Sequence, residues 1–138
     1  MSATIVGSDG KSRCRWCGAA PEFLSYHDTE WGFPVSDDYR LFEKLSLEGF
    51  QSGLSWRTIL HKREGYRRAF QGFHPAIVAA YADADRQRLL ADASIVRNRQ
   101  KIDAAINNAR RVLEVQREFG SLDRFLWQFT SNTTLRRK

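Results

Sequence analysis

A chain of 138 residues with 42% hydrophobic and 12% aromatic content is one domain by length and large enough to bury a real core. No apolar run approaches the ~20 residues needed to cross a bilayer, and the opening MSATIVGSDGKSR has no signal-peptide apolar region, so the chain reads as cytoplasmic. The formal charge of +6 and pI near 9.7 argue against an acidic or neutral surface, and the charge is unevenly spread. Residues 57–71 carry Arg57, Lys62, Arg63, Arg67 and Arg68 against Glu64, and residues 96–111 carry Arg97, Arg99, Lys101, Arg110 and Arg111 against Asp103. Residues 26–50 reverse the sign, with Asp28, Glu30, Asp37, Asp38, Glu43 and Glu48 against Arg40 and Lys44. A basic rim around an acidic segment suits a polyanion whose reacting part is neutral or cationic; solvated helix faces are the alternative.

In chain order, residues 1–12 read as a mobile lead-in, residues 13–130 as the folded domain and residues 131–138 as a frayed basic tail. Residues 12–28 have no clear periodicity and read as a loop carrying chemistry. Cys14, Cys17 and His27 stand in the spacing C-x2-C-x9-H, three ligands of the kind zinc prefers, with Asp28 a weak candidate for the fourth. Two cysteines so close in a chain without a secretion signal favour a metal or redox role over a structural disulfide; two free thiols and a hydrogen-bonded His are the alternative.

The stretch from Tyr26 to Trp56 is the one around which the chain is organised. Tyr26, Trp31 and Trp56 offer flat π-faces, Glu48 sits beside Gly49 in an otherwise apolar helical pattern, and Gly53 permits a sharp turn before Ser55. These are the components of a pocket for a flat heteroaromatic ligand: rings to stack on, a carboxylate to read a polar edge, small residues to leave room. Each ring taken singly is as well explained as core.

A helix is predicted from a Ser36 cap, with Asp37 and Asp38 in its first turn and Leu41, Phe42, Leu45 and Phe50 on its apolar side. Ser55 caps the next, which has one apolar and one basic face. Pro75 opens a short helix to Tyr81, and Asp83 caps another to about Ala91. Ser94 to Asn98 link it to a long helix from about Arg99 to Phe119, with Ile102, Ala105, Ile106, Ala109, Val112 and Leu113 at helical spacing and a stop at Gly120. Helix, short link and helix, with Ser94, Arg97, Arg99 and Lys101 at the junction, is an arrangement that can hold a DNA phosphate. A last helix runs from Ser121 to about Phe129. No strand pattern, repeat or interdomain linker is visible.

The segments RCRWCGAAPEFLSYHDTEWGFPVSDDYRLFEKLSLEGFQSGLSWRTILHKREGYRRAF and SIVRNRQKIDAAINNAR resemble the 3-methyladenine DNA glycosylase I family, helix-hairpin-helix enzymes of alkylation repair. The resemblance implies an all-α fold that extrudes a 3-methylated adenine from duplex DNA and cleaves its N-glycosidic bond in base excision repair. It maps the family's base pocket onto Trp16, Tyr26, Glu48 and Trp56, with Glu48 the group that discriminates the base, and it implies zinc held by Cys14 and His27. Three departures stand out. Ser94 occupies a hairpin position where the family has glycine, and a left-handed backbone there would cost roughly 1 kcal/mol. The aspartate that other helix-hairpin-helix glycosylases place after the hairpin is missing, with Asn107 and Asn108 in that region. The family's chains also continue beyond the equivalent of Lys138, into final helices that carry a His and a Cys for zinc. The competing expectation is a truncated, catalytically silent DNA- or zinc-binding module that keeps the base pocket.

Overall fold

A computed structural model describes residues 2–136, and the chain divides into two compact units, one up to Pro34 and one from Val35 onward. In the first unit the lead-in is not patternless: β1 (Thr4–Val6) pairs antiparallel with β2 (Ser12–Cys14), Ile5 opposite Arg13. The hairpin forms because Gly10 takes a positive φ of 77° and the Asp9 carboxylate accepts the Lys11 N–H, contacts that alternation alone does not announce in three-residue strands. A 3-10 turn over Arg15–Ala19 then leads to α1 (Pro21–Thr29), where a loop was expected. Helix α1 opens on Pro21, carries Glu22 in its first turn and His27 in its last, and buries no residue fully. Lacking an apolar stripe, it leaves no helical period to read.

The second unit is all-α among the described residues, as expected. Its α2 (Asp38–Phe50) is capped by Asp37, whose carboxylate accepts the Arg40 N–H, one residue later than Ser36. Ser55 caps α3 (Trp56–Ala69), Pro75 opens α4 (Pro75–Ala79), α5 spans Asp83–Leu90, and α6 (Arg99–Phe119) ends at Gly120 with φ 90°. Two further boundaries shift, since α4 stops at Ala79 short of Tyr81 and the N-cap of α5 is Ala82, with Asp83 its first helical residue. Ser121 caps α7 (Leu122–Trp127), which runs on as a 3-10 turn over Gln128–Thr130. Of the tail expected to fray, Arg137 and Lys138 lie outside the described residues.

Helix α6 is the axis of this unit. Its Ile102, Ala105, Ile106, Ala109 and Val112 are buried among Phe42, Leu47 and Phe50 of α2, Ile59 and Tyr66 of α3, Val78 of α4 and Leu89 of α5. Burying each large side chain is worth about 1.5–3 kcal/mol, so this cluster dominates stability. Phe50 stacks on Tyr66 at 4.4 Å and 10°, fixing the end of α2 against α3. Among the described residues no helix is long and apolar enough to cross a membrane.

Asp38 ties the two ends of the unit together. Its carboxylate accepts from Gln116 Nε2 at 2.8 Å and from the Leu122 and Asp123 N–H groups at 3.0 and 2.9 Å, joining the start of α2 to the end of α6 and the start of α7. Burial pushes this carboxyl up, and the three donors outweigh it and hold it below the ordinary value. A depressed folded-state pKa means that the contribution is complete above the unfolded pKa near 4 and is lost as pH falls through the folded value. Asp38→Asn is expected to cost about 2 kcal/mol at pH 7 and to flatten the acid limb of the stability curve below pH ~4, measured by urea unfolding across pH.

Candidate functional site

The residues singled out in the sequence fall into both units. In the first, Trp16 of the 3-10 turn is half-buried in an aromatic cluster, 6.2 Å from Tyr26, 5.2 Å edge-on to His27 and 5.3 Å edge-on to Trp31. His27 in turn stacks on Trp31 at 5.8 Å and 17°. Trp16 and Tyr26, both expected in the base pocket, are thus brought together, and Trp31, 49% exposed, keeps part of its surface open.

The same turn of α1 carries an ionic chain. Arg13, only 9% exposed, donates to both Asp9 oxygens at 2.8 and 2.6 Å and from Nε to both Asp28 oxygens at 2.9 and 3.1 Å. Gly7 makes room for it, since a Cβ there would lie 2.6 Å from an Arg13 terminal nitrogen. Asp28 then pairs with His27 Nδ1 at 2.9 Å, and the Cys14 N–H donates to His27 Nε2 at 3.4 Å. Hydrogen bonds from Arg13, and then from His27, hold the Asp28 carboxyl down at about 2.

The three zinc donors expected from the sequence are not gathered into one cluster here. No group of three or more His, Cys, Asp or Glu able to hold a metal ion exists among the described residues. Cys17 is 3% exposed within its 3-10 turn, and Asp28 is already committed to Arg13 and His27, so neither joins Cys14 and His27. His27 thus faces Asp28 with Nδ1, while its Nε2 accepts the Cys14 N–H. Both cysteines are free thiols.

In the second unit Glu48 is exposed in the last turn of α2, next to Gly49, and Trp56 is half-buried as the first residue of α3. The α2 acid that is buried is Glu43, 9% exposed, which takes Arg67 Nε at 2.5 Å and Nη2 at 3.1 Å and thereby staples α2 to α3. Glu48 is therefore the α2 carboxylate left facing solvent in the pocket segment. Between α2 and α6 lies a cleft of about 300 Å³ lined by Ser46, Gly49, Phe50, Gln100, Lys101 and Asn108 among others.

The link between α5 and α6 is a hairpin built on its own hydrogen bonds. Asp92 accepts the Ser94 N–H at 2.9 Å and the Ser94 hydroxyl at 2.6 Å, and Asn98 caps α6 by accepting the Lys101 N–H at 3.0 Å. Ser94 is not among the residues with positive φ, so the cost expected for a Cβ at this position is not incurred. Instead its hydroxyl donates to Asp92. The hairpin rests on α3: Val96 N–H donates to the Tyr66 hydroxyl at 3.2 Å, and Lys62 Nζ reaches the Ala93 carbonyl at 3.4 Å. Arg97 and Arg99 are exposed, with Arg99 only 3.8 Å from Asp103 in a loose i,i+4 pair. The Lys101 ammonium donates to the carbonyls of Phe50 at 2.8 Å and Ser52 at 2.5 Å, so it reaches the end of α2. A lysine's charge is legible in sequence, but the carbonyls it finds fifty residues away are not.

Known proteins are similar to this chain in sequence and fold. A family model described as methyladenine glycosylase matches residues 16–138. DNA-3-methyladenine glycosylase 1 of Escherichia coli K12 is 46% identical over 120 residues, which cover 87% of this chain and 64% of that one. A crystal structure of a 3-methyladenine DNA glycosylase I superposes with a TM-score of 0.82 at 45% identity, covering 88% of this chain and 66% of that one. A variant of such an enzyme in complex with 3-methyladenine gives 0.79 at 40% identity, covering 82% and 61%. The chain thus spans under two thirds of the length of these relatives.

The seat of the hairpin on α3 is tight. A Cβ at Gly65 would lie 2.6 Å from the Ser94 carbonyl oxygen and 2.8 Å from its Cβ. Gly65→Ala gains about 1 kcal/mol of helix propensity but is expected to lose more, about 1–3 kcal/mol, by prising the hairpin off α3. Chemical denaturation should therefore show net destabilisation, with amide shifts concentrated at residues 92–98.

Proposed function

The chain belongs to the methyladenine glycosylase family, and from that premise we propose that it is a cytoplasmic DNA glycosylase that removes 3-methylated adenine from alkylated duplex DNA by hydrolysing its N-glycosidic bond. The single observation that carries the reading is Glu48, an unburied carboxylate at the end of α2 one short turn before the Trp56 ring. Its charge suits a base that is cationic, and its oxygens can accept from the exocyclic amine edge. A 3-methylated adenine already carries the positive charge that makes it a good leaving group, so the protein needs no strong acid to protonate it. Extrusion, aromatic stacking and an electronegative environment for the base then supply the catalysis. That Trp16 and Tyr26 share one aromatic cluster supports the stacking role. The free thiols of Cys14 and Cys17 fit a reducing compartment.

DNA contact is assigned to Arg97 and Arg99, the exposed cations beside the hairpin and the α6 N-terminus, where backbone N–H groups and positive charge favour a phosphate. Zinc is assigned to Cys14 and His27 as donors, with Asp28 behind His27 and Cys17 outside the set. Bound there, the metal would supply structure and no step of the reaction.

Glu48→Gln removes charge and keeps shape. It is expected to weaken binding of free 3-methyladenine by about 10- to 100-fold, the worth of a hydrogen bond to a charged group, and to lower release of that base from methylated duplex DNA. Chromatography of released bases and titration with the free base measure both; unchanged affinity refutes the role of Glu48, and a folded chain that binds the base without releasing any from DNA is the silent module. For the metal, Cys14→Ala and His27→Ala should each lower zinc retained after dialysis while Cys17→Ala leaves it unchanged, read by elemental analysis.

A further inference from the structure

The connection from Glu48 to Trp56 is short and turns sharply, and its shape is set from outside. Leu54 N–H donates to the Gln51 carbonyl at 2.7 Å, the Gln51 side-chain amide donates to the Leu54 carbonyl at 2.8 Å, and Gly53 takes a φ of 76°. These bonds close the turn on itself but do not orient it on the body of the unit. Lys101 does that, through the carbonyls of Phe50 at 2.8 Å and Ser52 at 2.5 Å. Phe50 is the last residue of α2 and Ser52 the second beyond it. An ammonium at these carbonyls satisfies acceptors that the helix end leaves open and neutralises the negative end of its dipole.

Lys101 is also the residue whose own N–H is capped by Asn98, so it stands in the first turn of α6, directly after the hairpin. The same side of the hairpin is anchored through Val96 to Tyr66, which stacks on Phe50. One cation therefore joins the hairpin's exit to the segment that spaces Glu48 from Trp56. We propose that Lys101 is a positioning residue: it holds the 51–55 turn so that the Glu48 carboxylate and the Trp56 ring keep the separation a flipped base requires, and it makes no contact with DNA phosphate. This rests on the assignment of base recognition to Glu48 and Trp56.

A phosphate ligand and a turn clamp give different signatures on removal. Lys101→Met keeps most of the stem and deletes the donors. The full chain carrying it is expected to bind free 3-methyladenine about tenfold more weakly, the worth of a charge-assisted hydrogen bond, while the slope of log affinity for duplex DNA against log salt stays as in the unaltered protein. Arg97→Ala, the control for a phosphate contact, should lower that slope by ~1 and leave free-base affinity unchanged. Lys101→Arg, which can still donate to both carbonyls, should restore base affinity.

A direct reading comes from amide hydrogen exchange: in Lys101→Met the amides of residues 52–55 should exchange about tenfold faster while those of 95–98 hold their rate. Unchanged exchange at 52–55, or a salt slope lowered as in Arg97→Ala, overturns the proposal. Should the Met variant lose its cooperative unfolding transition, Lys101→Gln, whose amide can still serve one carbonyl, takes its place under the same criteria. The exchange measurement needs no base, so absence of 3-methyladenine binding by the unaltered chain would refute the functional reading and leave the clamp separately decided.

Discussion

The hydrogen bond from the Val96 N–H to the Tyr66 hydroxyl is the contact on which the geometry of the second unit depends. Tyr66 is fully buried, and burial raises its pKa although the Val96 donor works against the rise, so the hydroxyl stays neutral and accepts. A buried hydroxyl left without its partner costs about 1–3 kcal/mol, so the hairpin cannot lift without penalty. The same ring stacks on Phe50, whose carbonyl receives Lys101 from beyond the hairpin. The end of α2, the middle of α3, the hairpin and the start of α6 thus form a closed circuit of contacts. Glu48 and Trp56 hang from that circuit, which ties the elements assigned to base recognition to those assigned to DNA.

The first unit solves a different problem with less apolar surface. Its only buried apolar residues are Cys17 and Ala20 among the described residues, so ordering falls to polar and aromatic contacts. Arg13 is nearly enclosed and would be costly there alone; Asp9 and Asp28 flank it on two sides and compensate the desolvation. Through Asp28 the chain reaches His27, and through His27 the rings of Trp16 and Trp31. Adjacent residues in the YHD sequence thereby join the aromatic cluster to the ionic chain.

The excess of positive charge divides into two populations once partners are known. Arg67, Arg86, Arg110 and Lys101 spend their donors on carboxylates or carbonyls of neighbouring helices. Arg97 and the loosely paired Arg99 remain outward at the hairpin. Net charge therefore overstates the electrostatic footprint available to a polyanion, and the two basic segments contribute to it unequally.

Sequence alone determined the features whose causes lie within a few residues of one another. Ser55, Pro75, Gly120 and Ser121 mark helix ends by local capping and backbone freedom, and the stripe from Ile102 to Val112 declares its burial by period. The family resemblance rested on motifs of this local kind. The short strands and α1 were not legible, since strands of three residues carry too little alternation and α1 buries no stripe. Tertiary structure decided which polar groups were free: Ser94 turned inward to Asp92, Lys101 reached Phe50, and Cys17 was buried apart from Cys14 and His27. A side chain's charge and donors are written in its identity, but the partner that consumes them is set by the fold, and only the groups left over can act on a ligand.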